Sequence, residues 1–228
     1  MKICEISDNL FELEFTVDLP FEQVIAQLKL TENEDIEELR LLWNQTIELA
    51  VPKAMYRICG VNEIKDDLVN VEGTVFKSQV LAGNLTDIHR IFAYVITCGQ
   101  EVEEWSRAES DFLVAMWLDV IKQIILNDAT AQFMAHIKKL LGTEKISAMN
   151  PGSGEADVWP IAQQRELFEL IGDVEAHIGV RLAESYLMFP TKTVSGVLYP
   201  SEVDFITCSL CKREHCVGRR APYAGVEA

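Results

Sequence analysis

The chain has 228 residues, of which 49% are hydrophobic and 25% are charged, with 12 glycines and 7 prolines. A chain of this size and composition can bury a substantial core, which excludes a disordered, collagen-like or low-complexity protein. Its 20 basic and 36 acidic side chains give a net charge of −16, which repels a phosphate backbone over most of the surface and excludes nucleic acid as the expected ligand.

The sequence predicts neither a membrane span nor an export signal. The longest apolar run, from Phe112 to Leu118, has about seven residues, where a spanning helix needs roughly 20. The N-terminus lacks the basic stretch, the apolar region and the cleavage site of a signal peptide. We therefore expect no membrane partner and a cytoplasmic protein whose six cysteines are reduced.

The N-terminal part predicts one strand followed by two helices. Alternating apolar residues over residues 11–18 predict a half-buried strand. Pro20 is well placed to open a short helix, because a first helical position has no need of an amide hydrogen. Thr31 and Glu34 form a capping-box pattern for a second helix, which we expect to end near Pro52.

The middle of the chain contains apolar patterns of both kinds, those typical of strands and those typical of helices. The pattern predicts a strand over residues 69–75, a short helix over residues 79–85 and a strand over residues 91–96. The longest predicted element is a helix over residues 111–141, which carries a continuous apolar stripe and is closed by Gly142. This helix is expected to be the centre of the core.

The C-terminal part predicts a helix and three strands, at residues 160–171, 185–189, 194–199 and 203–207 in that order. Helices and strands alternate without a regular βαβ repeat, so we expect an α+β fold in which helices flank a mostly antiparallel, twisted sheet. No repeat or linker interrupts the chain. Residues 1–207 are therefore expected to form one unit, and residues 208–228 a cysteine-containing tail.

The common catalytic and nucleotide-binding motifs are missing from the sequence. There is no P-loop, no G-x-S-x-G elbow and no H-E-x-x-H pair, and Gly152-Ser153-Gly154 lacks the third glycine of a dinucleotide-binding pattern. The four histidines are too scattered along the chain for their spacing to propose a triad. We therefore predict no catalytic residue.

The first candidate site is the loop Asn150-Pro151-Gly152-Ser153-Gly154, followed by Asp157-Val158-Trp159-Pro160, in a turn-rich segment between two predicted helices. Loops held by rigid flanks often present backbone amides and carbonyls to a ligand. A plain connection between two helices is the alternative interpretation.

The second candidate is a C-x-x-C-x-x-x-x-C array formed by Cys208, Cys211 and Cys216. Thiolates at this spacing can converge on one soft metal, so zinc or an iron–sulfur cluster is a possible ligand. A fourth ligand would come from His215, Cys98, Cys59 or an atom of a partner. Redox-active thiols and an unligated tail are the other two interpretations of the array.

The stretch from Ile178 to Pro190, followed by Val194-Ser195-Gly196, resembles the activation (reactivation) domain of cobalamin-dependent methionine synthase. That family shows I-G-x-x-L-T-E-S-F-x-M-x-P and then S-V-S-G, and residues 157–160 with the helix at 163–168 resemble the part just before it. The likeness covers about residues 148–196 and is weaker in the N-terminal half. The tail cysteines are similar to those of stand-alone members of this family.

The resemblance implies an accessory protein of a cobalamin-dependent methyltransferase system. Such a protein docks on a corrinoid-bearing component, binds S-adenosylmethionine, and supports the reductive reactivation and remethylation of cobalamin. The partner's cobalt would be the nucleophile, so the chain would contribute proximity and orientation. A flavodoxin-like or ferredoxin-like electron donor is implied as a further partner.

The resemblance also indicates where a ligand would bind, with Asn150, Pro151, Gly152, Ser153 and Glu184 as the candidate contacts. The family's R-x-x-x-G-Y motif is altered, because Ala148 stands at the Arg position and Ser153 at the Tyr position. A charge-assisted contact to a carboxylate and an aromatic contact are therefore missing. Two alternatives stay open: a metal- or cluster-dependent electron-transfer module acting on corrinoid cobalt, and a cofactor-free scaffold that binds the partner.

Overall fold

The computed structural model describes residues 1–154, 158–201, 207–210, 212 and 222–223. The strands are β1 (Lys2–Ser7), β2 (Leu10–Glu14), β3 (Lys53–Lys65), β4 (Leu68–Val71), β5 (Thr74–Lys77), β6 (Arg90–Thr97), β7 (Ile146–Met149), β8 (Arg181–Leu182), β9 (Met188–Phe189) and β10 (Thr193–Pro200). The helices are α1 (Glu22–Leu28), α2 (Asn33–Leu49), α3 (Gln79–Asn84), α4 (Gln100–Ser106), α5 (Phe112–Leu141), α6 (Gln164–Ile171) and α7 (Val174–Ile178).

Eight of these strands form one sheet with the order β1-β2-β3-β6-β10-β7. The hairpin of β4 and β5 extends the far end of β3, while β8 and β9 form a separate two-stranded ladder. All strand pairs in the described part of the chain are antiparallel. The predicted α+β class with a mostly antiparallel sheet and flanking helices is thus confirmed.

Helices α1, α2 and α5 cover one face of the sheet. The middle of α5 packs its apolar side chains against β3 and β6, and the Phe133 ring lies 5.6 Å from the Tyr56 ring and 5.3 Å from the Tyr94 ring, between centroids. Asp111 caps the start of α5 by accepting hydrogen bonds from two amides of the first turn. Gly142 ends the helix in the left-handed conformation, as the sequence predicted.

Helices α3, α6 and α7 and the β4–β5 hairpin cover the other face. Their apolar side chains pack on Met55, Ala93, Val95 and Val197 of the three central strands. The sheet therefore separates two hydrophobic cores, and its central strands are buried on both faces.

The N-terminal predictions need two corrections. The predicted strand at residues 11–18 is the second strand of a hairpin and ends at Glu14; β1 was missed because its side chains are mostly exposed and show no apolar alternation. The capping box does not form. Helix α2 begins at Asn33 with Glu32 at its N-cap position and no side-chain cap, although acidic residues in its first turn suit the positive end of the helix dipole.

The predicted helices over residues 79–85, 111–141 and 160–171 and the predicted strands over residues 91–96 and 194–199 are confirmed within a few residues. The predicted strand at residues 69–75 is a hairpin, whose turn places Glu72 (φ 50°) and Gly73 (φ 93°) in the left-handed region. Besides β1, the elements β3, β7, α4 and α7 had no sequence prediction.

The two remaining strand predictions turn out differently. Of the predicted strand at residues 185–189, only β9 (Met188–Phe189) is a strand, and Tyr186, with a φ of 64°, belongs to the turn that connects β8 to β9. Of the predicted strand at residues 203–207, only Thr207 belongs to the described residues, and it begins a 3₁₀ turn, Thr207–Leu210. Among the helices described, none is long and apolar enough to cross a membrane.

Candidate functional site

The predicted loop begins directly after β7, and its first residue is fixed by two hydrogen bonds. The Asn150 amide nitrogen donates to the Tyr94 hydroxyl at 2.8 Å and to the Ser195 carbonyl oxygen at 2.6 Å. Both amide hydrogens of Asn150 are therefore used within the protein. Asn150 ties the loop to β10 and to β6, two neighbouring strands of the sheet.

Gly196 makes this arrangement possible. A Cβ atom on Gly196 would lie 2.5 Å from Asn150 Nδ2 and would also collide with the Met149 carbonyl oxygen. The absence of a side chain on β10 thus leaves room for the Asn150 side chain to cross that strand and reach Tyr94. This explains in physical terms why Gly follows Ser in the Val194-Ser195-Gly196 stretch.

A chain of buried polar contacts continues from the loop to the β8–β9 ladder. The Ser195 hydroxyl donates to Gln164 Oε1 at 2.8 Å, and Gln164 Nε2 lies 3.4 Å from the Met188 sulfur. Ser195 and Gln164 are each only 3% exposed, so these contacts are shielded from water. Asn150, Ser195, Gln164 and Met188 therefore connect the loop, β10, α6 and β9.

The loop is also closed on itself. The Gly152 amide donates to the Trp159 carbonyl oxygen at 2.8 Å, and the Ser153 amide donates to the Asn150 carbonyl oxygen at 3.1 Å. Gly152 has a φ of 77°, and a Cβ atom there would lie 2.9 Å from Ile161 Cβ. Gly152 is thus required by both its conformation and its close packing.

The far side of the loop is anchored on β5 and the start of α3. Trp159 is fully buried, packs edge-on against Phe76 and donates to Gln163 Oε1 at 3.1 Å. The Gln163 side chain accepts from the Lys77 amide and donates to the Lys77 carbonyl, each at 2.8 Å. The Ser78 hydroxyl donates to the Val158 carbonyl at 2.5 Å. These contacts hold the segment that follows the loop in one position.

This geometry limits how the loop could hold a ligand. The Gly152 and Ser153 amides and the Asn150 side-chain hydrogens already have protein acceptors, so they are not free to donate to a ligand. Ala148 lies in β7 with its side chain against the α5 core, so no cation is present where the family motif has Arg. Among the five predicted loop and turn contacts, the Ser153 hydroxyl and the Glu184 carboxylate have no hydrogen-bond partner within the described residues.

Glu184 lies in the turn between β8 and β9 and is exposed to solvent. The turn is closed by hydrogen bonds from the Ala183 amide to the Leu187 carbonyl and from the Tyr186 amide to the Ala183 carbonyl, both 2.9 Å long. The Glu184 side chain therefore projects from an ordered turn, next to the ladder that Gln164 connects to the loop.

The segment that follows the ladder is held by a buried ion pair. Lys122 Nζ lies 2.9 Å from Glu103 Oε2, with both side chains less than a tenth exposed. The Thr191 hydroxyl donates to the same carboxylate at 3.2 Å, and Lys122 also contacts the Ser106 hydroxyl at 2.9 Å. Helices α4 and α5 thereby fix the chain between β9 and β10.

The predicted metal ligands cannot be placed. The Cys208 side chain, Cys211 and Cys216 lie outside the residues that the structure describes, and His215 does as well. Cys59 and Cys98 are both fully buried, one in each core on opposite faces of the sheet. Burial raises the pKa of each of these two thiols to about 12, and the sheet between them keeps them from sharing one metal ion. The described residues contain no group of three metal-ligating side chains.

Two cavities of the described part lie away from the loop. One, of about 670 Å³, lies between β1 and α5 and is lined by apolar groups that include Ile3 and Leu140. The other, of about 640 Å³, is lined by the region after α3 and by Lys145 and Ser201. Neither of these two cavities includes a predicted contact residue.

Sequence reasoning did not identify Tyr94, Gln163, Gln164, Glu103 or Lys122, which position the loop and the segment after the ladder. Gln163 and Gln164 lie in the stretch that resembles the family, and this resemblance was the signal that could have identified them. The others lie on β6, α4 and α5 and are brought to the site only by the sheet and helix packing.

These features define an α+β domain in which buried contacts couple the loop, α6, the β8–β9 ladder and β10. The model of the family described as vitamin B12 dependent methionine synthase, activation domain, matches residues 131–217. The match includes the loop, α6, α7, the β8–β9 ladder and β10. The resemblance predicted from the sequence is thus confirmed.

The fold is similar to that of a particular solved structure, the MetH reactivation domain crystallised with AdoHcy. The TM-score is 0.60 with 13% sequence identity, and the similarity covers 87% of this chain and 81% of that chain. The likeness therefore extends to the N-terminal half, beyond the residues that the family model matches. None of the curated protein sequences matches this chain.

Proposed function

We propose that the protein docks on a corrinoid-bearing methyltransferase component and supports the reductive reactivation of its cobalt. The observation that carries this proposal is the position of the family match. Residues 131–217 include the loop, β10, α6 and β9, which the contacts of Asn150, Ser195, Gln164 and Met188 join. The contact from Asn150 to Tyr94 then ties this matched segment to β6, which precedes it.

S-adenosylmethionine is the methyl donor that this role requires, and its product is the ligand named for the similar crystal structure. In the proposed site, Asn150, Pro151 and Gly152 set the shape of the loop. The Ser153 hydroxyl and the Glu184 carboxylate act as the polar groups that reach the ligand, with Glu184 suited to its positively charged end. The chain itself supplies orientation, because the transferred methyl group and the cobalt that accepts it belong to other molecules.

Calorimetric titration with S-adenosylmethionine tests the ligand part of the proposal. We expect binding to the wild-type protein and at least fivefold weaker binding after Glu184→Gln, since an ammonium group would lose a charged acceptor. Glu175→Gln is the matched control, because Glu175 is also exposed and lies on the neighbouring helix α7. Equal affinity in all three proteins would remove Glu184 from the site.

Docking is tested with the cobalamin-binding module of a cobalamin-dependent methionine synthase as the probe, prepared without oxygen. A complex on gel filtration, with a change in the corrin absorption spectrum, is the expected result. Asn150→Ala should weaken the complex because the loop loses two hydrogen bonds, whereas Asn127→Ala, on the exposed side of α5, should not. Failure to form a complex with or without S-adenosylmethionine would overturn the proposal.

A metal centre at Cys208, Cys211 and Cys216 is the second candidate and rests on their spacing alone. It would make the protein an electron-transfer module for corrinoid cobalt, working with a flavodoxin-like or ferredoxin-like donor. Anaerobic purification followed by iron, zinc and sulfide analysis separates the two candidates. A metal-free protein that still forms the complex supports reactivation without a resident cluster.

A further inference from the structure

Three arginines stack on the two aromatic rings of the β8–β9 ladder. The guanidinium carbon of Arg165 lies 5.7 Å from the Tyr186 ring centroid. Those of Arg107 and Arg181 lie 5.4 Å and 5.3 Å from the Phe189 centroid. Each distance is within the range of a cation–π contact, so the rings hold the three cations in defined positions.

The three cations keep their positive charge available to a partner. Arg165 and Arg181 form no ion pair within the described residues, and both are exposed. Arg107 lies 3.7 Å from Glu103, but that carboxylate is buried and already neutralised by Lys122 at 2.9 Å. Within the described residues, Glu184 in the turn and the glutamates of α6 form no ion pair with these guanidinium groups.

A cluster of three arginines is unusual in a protein with so much negative charge. The chain carries a net charge of −16, yet three of the six arginines at described positions gather on one small ladder. Leu187, 58% exposed, lies between the two rings in sequence, so an apolar side chain accompanies the cations. Arginine, aromatic and exposed apolar side chains together are the composition that interfaces concentrate in their binding hot spots.

We propose that this surface, formed by Arg107, Arg165, Arg181 and Leu187, docks an acidic segment of the corrinoid-bearing partner. The arginines come from the residue that ends α4, from α6 and from β8, and they stack on two separate rings. A protein segment with several carboxylates around one apolar side chain can contact all of them, whereas a single small anion meets one ring's cations. Charge complementarity against an acidic chain then selects the partner and fixes its orientation.

The location of this surface suits the proposed function, on which its link to the corrinoid partner rests. Arg165 is the neighbour of Gln164, whose side chain contacts both Ser195 and Met188. Ser195 in turn accepts a hydrogen bond from Asn150 at the loop. A partner held by the arginines would thus lie beside the loop and the Glu184 turn, where the methyl donor is proposed to bind.

The first test uses a synthetic peptide, Glu-Glu-Leu-Glu-Glu, whose binding is measured by calorimetry. The triple variant Arg107→Gln, Arg165→Gln, Arg181→Gln should bind at least tenfold more weakly than wild type, and raising the salt concentration should weaken the wild-type interaction. Arg40→Gln is the matched control, because Arg40 of helix α2 also stacks on an aromatic ring, Phe21 at 4.1 Å, and does not belong to the proposed surface. Circular dichroism establishes that each variant is folded.

Equal peptide binding by wild type and triple variant would overturn the inference, as would equally strong binding of Lys-Lys-Leu-Lys-Lys. Complete competition by inorganic phosphate at equal concentration would also overturn it, by showing a small-anion site. The same variants are then tested against the cobalamin-binding module. Peptide binding without module binding supports the arginine surface as a docking site for acidic segments and refutes the proposed corrinoid partner, so the two failures are distinguishable.

Discussion

The Asn150 side chain occupies the space beside β10 that a Cβ atom on Gly196 would fill, with Nδ2 only 2.5 Å from that position. This relationship joins the loop after β7 to the middle of the sheet. It also means that two residues 46 positions apart in the sequence act as one structural unit.

The Gly196→Ala substitution should be strongly destabilising. The added methyl group would collide with the Met149 carbonyl and displace the Asn150 amide from Tyr94, so we expect a loss of about 2–4 kcal/mol in the free energy of unfolding. Urea denaturation measures this value. Gly60→Ala in β3 is the control, because a Cβ there meets nothing within 4 Å, and its effect should be within about 0.5 kcal/mol.

Removing the buried cation at Lys122 should also be costly. Lys122→Met would leave the Glu103 carboxylate buried near Thr191 without its closest cation, and we expect a loss of about 3–5 kcal/mol. Adding Glu103→Gln to this variant should recover part of the loss, because the uncompensated charge is then gone. Lys2→Met at the exposed Lys2–Glu14 pair should cost no more than about 1 kcal/mol. Similar losses at the two lysines would contradict the prediction.

Because of His136, the free energy of unfolding should decrease as the pH falls below neutral. Burial, with a contribution from Lys139, lowers the pKa of His136 below its usual 6.5, so the folded protein favours the neutral ring that contacts the Tyr56 hydroxyl at 3.1 Å. The unfolded chain then binds more protons below that pH, and the stability that neutral His136 contributes is lost as the pH falls. The difference in unfolding free energy between wild type and His136→Gln should shrink between about pH 7.5 and pH 5. A constant difference across this range would exclude the effect.

The cysteines should react in a fixed order with a thiol reagent. Cys4 is exposed, whereas Cys59 and Cys98 are fully buried and the pKa of each buried thiol is raised to about 12. We expect iodoacetamide to modify Cys4 within minutes in the native protein and to leave Cys59 and Cys98 unmodified until urea is added. Peptide mass spectrometry reads out each position separately. Rapid native labelling at Cys98 would mean that the core on the α5 face opens readily.

The sequence predicted most strongly the elements whose signal is local. Helix α5 has an apolar stripe, an Asp cap and a closing Gly, and each of these features is present in the structure. Strand β3 was missed because its first half is buried on both faces of the sheet, so Ala54, Met55 and Tyr56 show no alternation. Helix α7 was missed because five residues are too few to show a helical period. Asp173 nevertheless caps its start, and Gly179 caps its end. Those two residues were the signal that could have found it.

The candidate site was predictable in position but not in its contacts. The family resemblance located the loop and the ladder from local stretches of sequence. The roles of Asn150, Gly196 and Tyr94 depend on the register of β7, β10 and β6, which a sequence pattern does not specify. The metal ligands, the division of the chain at residue 207 and the ligand contacts stay predictions.

The order of strands in the sheet has a consequence for protein engineering. Strand β10, inside the segment that the family model matches, pairs over six positions with β6, which precedes that segment. An excised fragment covering residues 131–217 would expose the backbone amides and carbonyls of β10 along a whole edge, ready to pair with other copies. Expression of the family segment alone should therefore give aggregates, and a soluble recombinant domain needs the strands from the first hundred residues.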